Sequence, residues 1–244
     1  ETRHCLDHHG VEVTSSFTGA FTRLNNLTHP DEDFRQYYVD WFKQFADITA
    51  DLGCKHLGSH FAILTQEDLE DSSRRNFLKE QAIKSWHEIA TYAKSRGIEE
   101  IYWEPMSISR EFGETIDEAI SLNDELNKNS PLPFSMCLDV DHGDLESPNP
   151  DDIDPYAWIN QCKDGFDMIH LKQSYANKGG HWPFTAEHNE KGNIIPNKIL
   201  DAIKKTTPRN VQLVLELSFK ERQPADRLAA EHVKESVNFW QNSL

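Results

Sequence analysis

Four residues of metal-binding type stand where short apolar runs end. They are Glu104 in Ile-Tyr-Trp-Glu-Pro, Asp139 in Cys-Leu-Asp-Val-Asp-His, His170 in Met-Ile-His-Leu-Lys and Glu216 in Val-Leu-Glu-Leu-Ser. Two glutamates, an aspartate and a histidine make a hard, oxygen-rich donor set. Such a set suits one roughly octahedral divalent ion with open positions: Mn²⁺, Mg²⁺ or Co²⁺, with Zn²⁺ possible. Taken singly, each residue reads equally well as a solvated strand end or a helix cap. Four in succession, each closing its own strand, read as a metal centre.

The elements that must position these residues alternate. Val11 to Phe17 is short and β-branched, the mark of a strand. Phe34, Tyr38, Trp41, Phe45, Ile48 and Leu52 then recur at four- and three-residue steps, which predicts a helix burying that face and ending at Gly53. Cys54 to Ile63 reads as a strand. Leu78, Ala82, Trp86, Ile89 and Ala93 mark a second helix closed by Gly97. Ile98 to Trp103 is a strand with Glu104 at its tip. Thr115-Ile-Asp-Glu118 is a capping box that opens the third helix. Strands at Phe134 to Leu138, Phe166 to Ile169 and Val211 to Leu215 run into Asp139, His170 and Glu216. Helices are expected at Tyr156 to Lys163, Ile195 to Lys205 and Asp226 to Trp240.

This alternation predicts a parallel sheet with helices outside, an α/β fold of the (β/α)₈ barrel type. In such barrels catalytic groups sit at the C-terminal ends of strands. Only six strands are countable, and Thr2 to His9 looks like a helix end. The expectation is therefore one barrel domain over residues 1–244, lacking its first two strands in this chain. Gln173 to Asn193 is the longest irregular stretch, and a loop of about 20 residues in a compact domain is usually functional.

Composition narrows the function classes. The 244 residues carry 25 Lys and Arg against 41 Asp and Glu, a net charge of −16, the opposite of what a phosphate-backbone reader shows. No nucleic-acid partner is expected. No run approaches the ~18 apolar residues of a membrane span, so no membrane partner is expected; the localisation expected is cytoplasmic. Cys5, Cys54, Cys137 and Cys162 lack zinc-knuckle spacing, and Cys54 and Cys137 read as free buried thiols. Asn26-Leu27-Thr28 matches a glycosylation triplet of the kind that arises often by chance.

The same residues carry a resemblance. The chain resembles the xylose isomerase-like barrel superfamily, which includes ketose 3-epimerases, sugar-phosphate isomerases, inosose dehydratase and endonuclease IV. The resemblance rests on Glu104-Pro105, the Asp-x-x-His of Asp139 and His142, the strand-end His170, and Glu216 followed by Ser218. It spans essentially the whole chain, and it implies that Glu104, Asp139, His170 and Glu216 hold one metal ion. It also implies an isomerase or epimerase of a small ketose or ketose phosphate, working through a metal-stabilised enediolate with Glu104 and Glu216 as acid and base. Glu104-Pro-Met-Ser-Ile-Ser-Arg110 looks similar to proteins of tetritol and branched-sugar catabolism, which favours a short, tetrulose-type or phosphorylated substrate. Two departures shape the expectation. The arginine that psicose- and tagatose-type epimerases carry after the metal histidine is absent from Leu171 to Ala176. The extra ligands of endonuclease IV are absent too, since Ala186-Glu187-His188 lacks the aspartate. A metal-dependent lyase, a decarboxylase or dehydratase of a sugar acid, is the alternative. An endonuclease IV-like repair enzyme and a barrel with a vestigial site stand behind it, and a homo-oligomer is possible.

Around the quartet several residues are candidate substrate contacts. His142 is either a hydroxyl donor or a satisfied loop histidine. His188, with Gly192 after it, resembles the family's His-x-x-x-Gly lid segment, and His60 lies where many members place a pocket histidine. Arg110, Lys172 and Arg222 follow the catalytic strands and could clamp a phosphate, although each alone reads as a surface charge. Lys178 with Gly179-Gly180 could form an anion-binding turn or simple loop punctuation. Trp103 and Phe219 read as barrel packing, and Asp141 as a carboxylate beside the ligand shell.

Overall fold

The computed structural model describes residues 1–19, 25–175, 179–207, 209–219 and 227–244. Its contacts divide the chain into two compact units, Glu1–Met136 and Cys137–Leu244.

The first unit holds α1 (Thr2–His8), β1 (Ser16–Phe17), α2 (Glu32–Asp51), β2 (His56–His60), α3 (Gln66–Glu70), α4 (Ser72–Ser95), β3 (Glu100–Glu104), α5 (Ile116–Asn127) and the start of β4 (Phe134–Asp139). Its strands pair in parallel and in chain order, with Phe17 opposite Gly58, His60 opposite Glu104 and Trp103 opposite Met136. The helices start where side chains accept otherwise orphaned N–H groups. Asp31 accepts from Phe34 N, Asp71 from Ser73 and Arg74 N, and Thr115 from Glu118 N. α2 packs on α4 around Phe42 and Trp86, whose ring centroids lie 4.8 Å apart, and Trp86 Nε1 donates to Phe61 O at 2.8 Å.

Two expectations need correction here. The first strand is two residues rather than seven, and Val11 is half exposed. On α2 the buried stripe is Val39, Phe42, Ala46 and Thr49, one residue out of phase with the expected aromatic face. Phe34 and Ile48 remain 44% and 57% exposed. The spacing was right but the phase was not. Phe42 meets Trp86 of α4, Ala46 and Thr49 are buried beside it, and Thr49 Oγ1 bonds Ser16 Oγ of β1 at 2.6 Å. On α4 all five expected apolar residues are buried.

The second unit takes over at Cys137 within β4 and adds α6 (Pro155–Cys162), β5 (Phe166–Leu171), α7 (Ala186–Lys191), α8 (Pro196–Thr206), β6 (Gln212–Leu215) and α9 (Ala229–Gln241). β5 and β6 pair in parallel, with His170 opposite Val214. Val140, one residue past β4, donates its N–H to His170 O at 3.3 Å. α6 packs on α8, and Phe184 stacks on Phe239 and meets Trp240 edge-on. The stretch from Gln173 to Asn193, expected to be irregular, contains α7 and a backbone pair between Gln173 and Trp182. The expected helix start at Asp226 lies outside the described residues. Among the described residues there are six strands, against the eight of a complete barrel.

Candidate functional site

In the first unit β2 and β3 end side by side, so that His60 and Glu104 share a position along the sheet. His60 Nε2 lies 3.4 Å from Glu104 Oε2, and both residues are buried. Asn25 fixes the backbone beneath them by donating to His60 O at 2.8 Å. Trp103, next to Glu104, is core as expected and donates Nε1 to Asn123 Oδ1 at 3.0 Å. Arg110 is tethered at both its backbone and its side chain. Its Nε donates to Leu64 O at 2.8 Å, and its own carbonyl accepts from Leu64 N at 2.8 Å.

The second unit brings three of the expected ligands together. Asp139 closes β4, His170 lies near the end of β5 and Glu216 follows β6, and their ligand atoms lie within 4.8 Å of one another. His170 Nδ1 is 3.8 Å from Glu216 Oε2. The Asp139 side chain is wholly buried, whereas that of Glu216 is 38% exposed. Two buried or half-buried carboxylates and an imidazole are a donor set that fits a divalent cation, because their negative charge is costly to bury without one.

Of the two readings of Lys172, a phosphate clamp or a surface charge, burial removes the second, since the residue is 1% exposed. Its Nζ lies 2.7 Å from Asp139 Oδ2 and 3.2 Å from Glu216 Oε2. Burial alone would lower its pKa, but the two carboxylates outweigh that and hold it above the usual lysine range. The sequence contained the signal. Side chains alternate along a strand, so a residue two beyond His170 points to the same side.

His181 completes this group and was not singled out from sequence. Its ring lies 3.3 Å from Lys172 Nζ and 3.5 Å from Glu216 Oε2. Burial, then the Lys172 charge, lowers its pKa, so it is neutral near pH 7. His142 stands at the edge, Nε2 4.0 Å from Asp139 Oδ2. His188 has a structural task, since Thr185 Oγ1 meets its Nδ1 at 2.8 Å and accepts from its backbone N–H to cap α7. Its ring also lies near-parallel to those of Trp182 and Tyr175.

Asp141 anchors the loop that carries these groups. Its N–H donates to Asp139 Oδ1 at 2.8 Å, and its carboxylate accepts from Ser174 Oγ and, at 2.9 Å, from Gly180 N. The turn at Gly179-Gly180 thus meets an anion through the Gly180 N–H, and the anion is the protein's own Asp141. Gly180 has φ +150, and a Cβ there would overlap Trp182 Nε1, so any other residue strains the backbone and displaces Trp182. Gln173 ties the loop's far end, accepting from Ile194 N at 3.0 Å and donating to Asn189 Oδ1 at 2.9 Å. Phe219 packs near His232. Lys178 and Arg222 lie outside the described residues.

Comparison with known proteins agrees with this geometry. The sequence profile of the xylose isomerase-like TIM barrel matches residues 1–242. D-erythrulose 1-phosphate 3-epimerase of Brucella abortus (strain 2308) is 50% identical over 236 residues, 96% of this chain and 76% of that protein. A candidate xylose isomerase from Rhodospirillum rubrum superposes with a TM-score of 0.87 at 21% identity, covering 99% of this chain and 80% of its own. D-psicose 3-epimerase from Clostridium cellulolyticum H10, solved with D-tagatose, gives 0.71 at 15% identity, with 99% and 82% covered. At those identities the two structures attest the fold alone.

Proposed function

The chain belongs to the xylose isomerase-like TIM barrel family, and from that premise we propose that it is a divalent-metal-dependent 3-epimerase of a short ketose phosphate. It is an enzyme of the sugar or sugar-phosphate isomerase and epimerase class. The observation that carries the finer reading is the 50% identity, across 96% of the chain, to an erythrulose 1-phosphate 3-epimerase. The clustering of Asp139, His170 and Glu216 supports it independently.

In this reading Glu104, Asp139, His170 and Glu216 hold one Mn²⁺, Mg²⁺ or Co²⁺ ion. When bound, the ion supplies electrophilic stabilisation to the carbonyl and neighbouring hydroxyl of the ketose. The protein's residues move the proton. One of Glu104 and Glu216 takes the hydrogen from C3, next to the C2 carbonyl, and the electron pair left on C3 delocalises as an enediolate. The other carboxyl group returns a proton to the opposite face of C3, which inverts that carbon. Glu216 is suited to this work, being half exposed where Asp139 is sealed. His142, His60 and His181 would orient hydroxyls, and Lys172 would contribute positive charge beside the developing anion. Arg110, Arg222 and His188 are further candidates for substrate contact; Arg110 Nε and His188 Nδ1 bond within the protein, which orients the remaining polar atoms of both side chains.

A substrate panel tests the proposal. C4 to C6 ketoses, their phosphates and 3-oxo sugar acids would be incubated with the protein, with and without EDTA. Turnover of a four-carbon ketose phosphate, lost with EDTA and restored by Mn²⁺, is expected. Turnover confined to sugar acids, with loss of water or CO₂, would replace it with a lyase.

A further inference from the structure

Lys172 is a buried charge placed where a cation is wanted. It lies two residues past His170 on the same side of the chain, and its ammonium touches both Asp139 and Glu216. Those carboxylates carry like charge, and their ligand atoms lie within 4.8 Å of one another. Asp139, whose side chain has no exposed surface, cannot relieve that repulsion through solvent. A cation among them offsets that repulsion.

We propose that Lys172 is a positioning residue, a built-in cation that holds the Asp139 and Glu216 carboxylates together before a metal ion arrives and competes with the ion for them afterwards. The inference rests on the metal-binding reading given above. With Lys172 the pair carries a net charge of −1, and without it −2. The lysine thus stabilises the metal-free state more than the loaded one. By linkage, whatever favours the empty site weakens binding of the ion. The enzyme gains a site that stays folded and formed when metal is scarce, at a cost in metal affinity. A lysine that merely filled space would behave oppositely, since its loss would loosen the ligands and weaken binding.

The test is Mn²⁺ titration calorimetry and thermal unfolding of the full EDTA-stripped chain and of Lys172→Met and Lys172→Gln. Lys55→Met, which removes one charge from the exposed Lys55–Glu99 pair, controls for net charge. Both Lys172 variants should bind Mn²⁺ about tenfold more tightly or better, the lower end of what one neighbouring charge does to a carboxylate's proton affinity. They should also melt at a lower temperature without metal and gain more from saturating Mn²⁺ than the parent does. Lys55→Met should match the parent. Equal or weaker Mn²⁺ binding by both Lys172 variants would overturn the inference and leave the metal site standing. A parent chain that takes up no Mn²⁺ would overturn both. Should neither variant fold, the unsubstituted chain labelled with ¹⁵N-lysine decides. A slowly exchanging Lys172 ammonium signal in the metal-free protein should move on adding Mg²⁺, and an unmoved signal would overturn the inference.

Discussion

Asp139 and Glu216 differ in solvent access, and that difference separates their tasks. Asp139 is sealed, paired with Lys172 and bonded by the Asp141 N–H, which in the proposed reading suits it to holding the ion rather than moving a proton. Asp139→Asn should weaken metal affinity by roughly 10- to 100-fold, with activity partly rescued by excess ion. A carboxylate that moves a proton cannot be rescued in this way. Glu216→Gln and Glu104→Gln should each cost about 10²–10⁴-fold in kcat while metal content, read by elemental analysis, is retained. Normal rate and normal metal content in Glu216→Gln would remove the acid–base assignment. Gly180 is the third test at this scale. Gly180→Ala forces a side chain toward Trp182 and strains φ, so it should break the Asp141 clamp, lower kcat/KM and cost about 1–3 kcal/mol of stability, read as a lower Tm. The candidate ligands were legible in sequence because each closes an apolar strand; Lys172 was legible as a candidate contact but not as a buried charge, and His181 was not singled out. Lysine is almost never fully buried, so its type argued for the surface while its position argued for the site.

At the scale of elements, most boundaries followed from caps and glycines, and the main error was angular. Phe34, Tyr38, Trp41, Phe45 and Ile48 share a helical spacing with Val39, Phe42, Ala46 and Thr49, and the two stripes sit one residue apart on α2. Hydrophobicity selects the aromatic stripe. Packing selects the other, with Phe42 against Trp86 of α4 and Thr49 against Ser16 of β1, and those neighbours are distant in sequence. Stability measurements distinguish the two. Phe42→Ala, which empties the contact with Trp86, should cost about 3–5 kcal/mol in urea unfolding. Ile48→Ala, at a side chain 57% exposed, should stay within about 0.5 kcal/mol. Equal losses would restore the sequence-derived phase. β1 was over-read for a related reason, because Val11 to Ser15 has β-branched residues but lies outside the strand.

Across the whole molecule, the parallel order of strands was readable from their alternation with helices. The division at Met136–Cys137 was not, because no composition shift or linker marks it and β4 runs through it. Thiol chemistry reports on the folded state at this scale. Cys5 is exposed, whereas Cys54, Cys137 and Cys162 are buried, and burial pushes the Cys162 thiol up to about 12. A thiolate is the reactive form, so Ellman's reagent at pH 8 should titrate one thiol in the native protein and four after denaturation. The central claim concerns chemistry at one carbon, and hydrogen exchange at that carbon tests it most directly. Erythrulose 1-phosphate would be incubated with the metal-loaded protein in D₂O and the product read by NMR and mass spectrometry. Two-base epimerisation predicts one deuterium at C3 of the inverted product, none after EDTA, and its return on adding Mn²⁺. Inversion that keeps the original hydrogen at C3, or an undiminished rate in the EDTA-stripped protein, would contradict the account.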